Sequence, residues 1–188
     1  MRKIISDFVT VCAAFLPYDG PVYEFGSLQL PGQLGEADLR PYFQGIKYVG
    51  CDMRPGPGVD ELMNLHRIDL PENTAGLVLC MDTLQHVEEP STAVIEMHRV
   101  LKPKGILIIS TVLISPIFPC PADYWRFTPE ALELLLAPFD RVIVDIAGDP
   151  HFPHTVVGIG FKGAFSDNEL QAFTDYLVLW KEHAYLNR

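Results

Sequence analysis

His98-Arg99-Val100-Leu101-Lys102-Pro103-Lys104-Gly105-Ile106-Leu107-Ile108-Ile109-Ser110-Thr111-Val112 joins two kinds of hydrophobic pattern. Up to Leu101 the pattern is helical. A helix over residues 90–101 opens with Pro90 and Ser91 and carries Val94, Ile95, Met97, Val100 and Leu101. Its basic last turn, the proline and Gly105 each stop a helix for a separate reason. Residues 105–112 (GILIISTV) then form a nearly continuous apolar, β-branched run, the pattern of a strand covered on both faces. A helix feeding a buried strand is the repeating unit of an α/β sheet.

Three earlier runs read as strands of the same kind: 21–25 (PVYEF), 46–51 (IKYVGC) and 75–81 (AGLVLCM). Downstream, Thr128 is placed as N-cap and Pro129 as first residue of a helix over 129–136. Two further strands, 139–146 and 155–161, are separated by turn-rich residues 148–154 with no helix between them, which predicts a terminal hairpin. A last helix over 167–185 sets Leu170, Phe173, Leu177, Trp180 and Ala184 on one face, for docking onto the sheet or, alternatively, for a homodimer contact. Residues 1–19 hold Ile4, Ile5, Phe8, Val9, Val11 and Phe15. Asp7 interrupts that stretch and no small-residue cleavage site stands out before Pro17, so an amphipathic helix fits better than a signal peptide. The expected architecture is one domain over 1–188, a doubly wound, mostly parallel α/β sheet.

The chain is 48% apolar and 20% charged, a globular balance. Its formal charge of −10 argues against nucleic acid or an anionic membrane as a partner through bulk charge, and favours a small neutral or cationic substrate. Cys12, Cys51, Cys80 and Cys120 lie far apart without a C-x-x-C pair, the pattern of reduced thiols in the cytoplasm. No run approaches the roughly 20 apolar residues that span a bilayer.

In an open α/β sheet, ligands bind beyond the carboxyl ends of the strands. Gly26 follows the first strand and Asp52 the second. A glycine there permits close backbone approach, and a carboxylate there can accept both hydroxyls of a ribose. The pair, in this order, favours an adenosine-type ligand. The G-x-G-x-x-G spacing of nicotinamide-binding dehydrogenases is missing.

Three stretches resemble class I S-adenosylmethionine-dependent methyltransferases of the type 11 kind, over about residues 22–162: Val22-Tyr23-Glu24-Phe25-Gly26-Ser27, residues 77–87 (LVLCMDTLQHV) and the 98–107 junction. The resemblance implies a Rossmann-like, seven-stranded sheet with an antiparallel last strand, and S-adenosylmethionine as cofactor. It assigns Glu24 and Gly26 to the methionine portion, Asp52 to the ribose, Asn64 and Leu65 to the adenine, and Met81 and Asp82 to the same pocket. Asn64 has a plain turn residue as its alternative reading, with Asp69 able to replace it. Two departures flank the expected pocket. Leu28 and Gln29 stand where the family has further glycines, and Met53-Arg54-Pro55-Gly56-Pro57-Gly58 replaces a helix.

Methyl transfer needs a general base only where the acceptor must lose a proton. His86 is the candidate, with packing or capping of its segment as the alternative. His98 reads as a helix surface residue; His151 and His154 lack a carboxylate at ligand spacing, so no metal is expected. Residues 116–128 form a proline- and aromatic-rich lid or substrate segment. Within it, Asp123, Tyr124, Trp125 and Arg126 resemble methyltransferase-like proteins of surface-polysaccharide assembly and suit stacking on a sugar. The alternative is a hydrophobic lid with Arg126 paired to Asp123. The functional expectation is methyl transfer to a small-molecule or glycan-linked acceptor; the alternative is a non-catalytic partner subunit of the same fold.

Overall fold

The computed structural model describes residues 2–32, 34–118 and 121–186. Among these residues four α-helices, α1 (Lys3–Phe15), α2 (Pro90–Val100), α3 (Pro129–Leu135) and α4 (Asp167–Leu186), accompany seven strands. The strands are β1 (Val22–Phe25), β2 (Tyr48–Asp52), β3 (Glu61–Leu62), β4 (Ala75–Met81), β5 (Leu101–Val112), β6 (Arg141–Asp149) and β7 (Phe152–Phe161). They form one sheet in the order β3-β2-β1-β4-β5-β7-β6, with β7 antiparallel to both its neighbours. This is the doubly wound, seven-stranded arrangement the sequence predicts.

Each central strand divides its side chains between two cores. Val78, Cys80, Leu107 and Ile109 pack with Ala93, Val94 and Met97 of α2 and Leu132 of α3. Leu77, Leu79, Ile106 and Ile108 pack with Ile5, Phe8 and Val9 of α1 and with Leu170, Phe173 and Trp180 of α4. The expected stripe on the last helix therefore docks onto the sheet, and the Trp180 indole N–H donates to the Ile4 carbonyl at 3.0 Å. Cys12, Cys51 and Cys80 are buried free thiols, and burial pushes Cys51 and Cys80 up to about 12. Cys120 lies outside the described residues.

The junction that decides the fold differs in one respect from its reading. The helix ends at Val100, and Leu101 already pairs with Ala75 as the first residue of β5. Between that pair and Leu77–Ile106 the register shifts, so residues 102–105 bulge out. The Lys162 ammonium fills the bulge, donating to the carbonyls of Leu101 at 2.6 Å and His98 at 2.9 Å. A Cβ on Gly105 would lie 2.8 Å from the Lys102 carbonyl oxygen, which explains the glycine. His98 is half-buried with its ring edge-on to Phe139, so its reading as a surface residue is corrected; Ile95 of the same helix faces solvent instead. The terminal hairpin is tighter than expected: β6 and β7 run through most of the 148–154 turn region, with a bulge at Ala147/Gly148. No helix forms between β2 and β3.

β1 lies between β2 and β4, so the chain reverses its direction of winding there. In such sheets the crevice at this switch point holds the ligand.

Candidate functional site

A cavity of about 770 Å³ opens at that crevice, within the range of small-molecule sites. Glu24, Gly26, Asp52, Asn64, Leu65, Met81, Asp82, His86, Asp123 and Tyr124 all line it. Trp125 and Arg126 do not. Most of the residues singled out in the sequence thus share one wall, because residues at strand ends share one side of the sheet whatever loops follow.

Glu24 is buried in the last turn of β1, where the Tyr48 hydroxyl donates to its Oε2 at 2.6 Å. Burial raises its carboxyl to about 7, more than the Tyr48 hydrogen bond and the Arg40 charge lower it. The Arg40 guanidinium sits 5.3 Å over the Tyr48 ring and donates to the Gly58 carbonyl and to Asp60.

Gly26 turns the chain out of β1 with φ +85°, and its N–H donates to the Cys51 carbonyl at 2.8 Å. A Cβ here would strike the Thr83 hydroxyl and methyl. Backbone conformation and Thr83 just past β4 thus each require glycine here, whatever ligand approaches it.

The two departures from the family pattern turn out to be one structure. Leu28 rests where a side chain on Gly56 would stand, and Gln29 N–H donates to the Pro57 carbonyl at 2.9 Å. Gln29 Oε1 accepts from Gly35 N–H at 2.8 Å. A Cβ on Gly58, which holds φ +88°, would strike the Ser27 carbonyl oxygen and lie 3.1 Å from the Gln29 side chain. The loop after β1 and the proline-glycine loop after β2 thus pack on each other.

Asp52 is largely buried, with 11% of its side chain exposed, and its Oδ1 accepts from Arg54 N–H at 2.9 Å. Asn64 Oδ1 accepts from His66 N–H at 2.9 Å, so Asn64 is also the turn residue of its alternative reading. Asp69 is exposed and does not line the cavity, which removes it as a substitute. Asp82 holds φ +45°, and its carboxylate accepts from Ser110 Oγ at 2.8 Å and from Arg2 at 2.8 and 2.9 Å. Arg2 also contacts Thr155 and reaches His154 Nδ1 at 3.4 Å.

Arg2 is among the wall residues that sequence reasoning misses. Its partner is 80 residues away, and only the packing of α1 across the sheet brings its side chain to the ligand end. His154, read as a loop residue, belongs to β7; burial lowers its pKa first, then the Arg2 charge. Among the described residues no cluster of three His, Cys, Asp or Glu is placed to hold a metal ion.

The segment after β5 hangs on the turn that follows β4. Tyr124 N–H donates to the Gln85 carbonyl at 2.8 Å, the Trp125 indole to the Val87 carbonyl at 2.9 Å, and the Tyr124 hydroxyl to Glu88 at 3.1 Å. Asp123 accepts from Arg126 and, at 2.8 Å, from Phe118 N–H. These bonds, the Arg126 ones foremost, hold the Asp123 carboxyl down at about 2. Arg126 and Asp123 are thus the internal pair of the alternative reading. His86 Nδ1 lies against the Ala122 carbonyl, and its ring is edge-on to Phe118 at 6.1 Å.

Residues 39–109 match the methyltransferase domain family. No curated protein matches the chain by sequence. Solved structures share the fold at low identity. One is a possible histamine N-methyltransferase from Thermotoga maritima, 18% identical over 85% of this chain and 89% of that one, TM-score 0.61. A second is 1,6-didemethyltoxoflavin-N1-methyltransferase from Burkholderia thailandensis, solved with 1,6-didemethyltoxoflavin and S-adenosylhomocysteine, 18% identical over 85% and 77%, TM-score 0.60. A third is an S-adenosylmethionine-dependent methyltransferase from Aquifex aeolicus, 17% identical over 81% and 89%, TM-score 0.54.

Proposed function

With the class I S-adenosylmethionine-dependent methyltransferase fold in place and a methyltransferase domain matched over residues 39–109, we propose that this protein binds S-adenosylmethionine and transfers its methyl group to a small-molecule or glycan-linked acceptor. One observation carries the reading: Glu24, Gly26, Asp52, Leu65, Met81 and Asp82, far apart in sequence, ring a single cavity at the switch point of the sheet.

The residues present fit that cofactor. The carboxylates of Glu24, Glu36, Asp52 and Asp82 line the strand-end side with only Arg2 and Arg54 as guanidinium neighbours in the wall, a setting that favours a cation. Met63 and Leu65 offer buried apolar surface next to Asp52, suited to a flat base. Glu24 and the backbone about Gly26 would hold the methionine portion, Asp52 the ribose, Leu65 with Asn64 the adenine, and Met81 with Asp82 the remaining wall. The bound cofactor supplies an activated methyl group. The protein's own task is to align the acceptor, exclude water and, where needed, accept a proton.

The test is calorimetric titration with S-adenosylhomocysteine. Saturable one-to-one binding supports the reading; no heat at millimolar ligand overturns it in favour of a non-catalytic protein of this fold. No helix among the described residues is long and apolar enough to cross a membrane.

A further inference from the structure

The half of the cavity away from the strand ends has a chemical character of its own. His86 Nδ1 faces a backbone carbonyl, which can only accept, so Nδ1 carries the hydrogen. In the neutral ring Nε2 then holds a free lone pair. No described residue hydrogen-bonds to it, and the ring lines the cavity. Around it, beside Gln85, Glu88, Ser115 and Asp123, the wall offers the apolar groups of Val87, Val112, Ile117, Phe118 and the ring of Tyr124. Ile117 is 79% exposed and Phe118 and Tyr124 are each 48% exposed, large apolar groups left uncovered at the mouth of a ligand site.

Most of the polar groups that a sugar would need are already taken, and Gln85 Oε1, which has no partner among the described residues, is buried in the turn after β4. Asp123 is bound by Arg126 and by Phe118 N–H, and the Tyr124 hydroxyl is given to Glu88. A hydroxyl-rich acceptor would lose hydrogen bonds to water here without converging partners to replace them. A flat apolar acceptor would instead cover surface that is now wet.

We propose that the acceptor is a planar, largely apolar molecule carrying a weakly acidic O–H or N–H, seated between Phe118, Ile117 and Tyr124, with His86 Nε2 as the base that takes its proton. The inference rests on the methyltransferase reading above and narrows it. The proton passes to Nε2, the pair freed on the acceptor atom makes the new bond to carbon, and the carbon–sulfur pair stays with sulfur, so atoms and charge balance. General bases of this kind contribute roughly a hundredfold to ten-thousandfold.

The probe is 2-naphthol, whose emission reports whether a base accepts its proton, with methyl α-D-glucopyranoside as the contrasting sugar. Both are titrated into protein saturated with S-adenosylhomocysteine. The expected result is binding of 2-naphthol but not of the glucoside, with naphtholate emission from the bound probe. Phe118→Ala should weaken 2-naphthol at least tenfold and leave S-adenosylhomocysteine affinity unchanged. His86→Asn, which keeps a donor for the Ala122 carbonyl, should keep both affinities and remove the naphtholate band. With S-adenosylmethionine, it should also lower methyl transfer to 2-naphthol by about 10²–10⁴. Binding of the glucoside in place of 2-naphthol, at intact S-adenosylhomocysteine affinity, overturns the acceptor class alone. An unchanged band in His86→Asn overturns the base. Failure of S-adenosylhomocysteine itself to bind overturns the underlying reading, and this inference falls with it.

Discussion

The two halves of the cavity are built by different means. The strand-end half consists of residues at or just past the ends of β1, β2 and β4: Glu24 is buried and paired within the sheet, Gly26 is bonded to the Cys51 carbonyl and set against Thr83, and Asp82 is held by Ser110 and Arg2. The half after β5 is a loop segment with exposed Ile117, Phe118, Tyr124 and Trp125, held by backbone bonds to the Gln85 carbonyl and by the Trp125 indole on the Val87 carbonyl. Position in the first half is inseparable from stability; in the second, side chains can change while the chain stays folded. Loops on a rigid scaffold are where binding variety is tolerated.

The sharpest test of that contrast is Gly26→Val. A β-branched residue at positive φ, driven into Thr83, should cost about 4 kcal/mol, or roughly 8–16 °C in melting temperature for a domain of this size. Calorimetry reads the shift directly. A variant that melts like the parent and merely loses S-adenosylhomocysteine would restore the glycine to a purely ligand-facing role.

Next in size is the pH dependence set by Glu24. Its carboxyl stands near 7 in the fold against 4.5 for the free side chain, so the folded protein holds this proton more tightly than the unfolded chain. The resulting stability is full below about pH 4.5 and is lost as pH rises through about 7, a change of about 3 kcal/mol. Glu24→Gln, which still offers an acceptor to Tyr48, should flatten this component between pH 5 and 8. Melting curves of parent and variant that keep the same slope across that range would show that burial of Glu24 is not its source.

Asp52→Ala should cost about 1 kcal/mol of stability, the worth of the bond from Arg54 N–H, and weaken S-adenosylhomocysteine about tenfold to a hundredfold, the worth of a charged hydrogen-bond acceptor. Equal affinity in a folded variant removes Asp52 from the ribose role.

Trp125→Ala marks the small end. Its indole N–H is spent on the Val87 carbonyl and its side chain stands outside the cavity. About 1 kcal/mol of stability should go, with both ligand affinities kept. Loss of 2-naphthol binding here, unlike in Phe118→Ala, would move the acceptor site outward.

Legibility follows the same divide. β4 is read to the residue, because seven consecutive buried positions leave an unbroken apolar run. β3 is two exposed residues, Glu61 and Leu62, too short for alternation and without an apolar face, so only its place in a counted sheet could be anticipated. Glu24, Gly26, Asp52 and Asp82 are legible because strand ends are legible. The choice between pairing and ligand binding for Asp123 and Arg126 is not, since residues three apart satisfy either geometry. Arg2 leaves no local sign, because its role depends on how a whole helix crosses the sheet.

Because Leu28 occupies the space over Gly56 and Gln29 bonds to Pro57, the loops after β1 and β2 behave as a single exchangeable cassette. Putting glycine back at position 28 alone would leave a hole above Gly56 and recover no ordinary turn. A change that alters one loop must therefore carry the other with it.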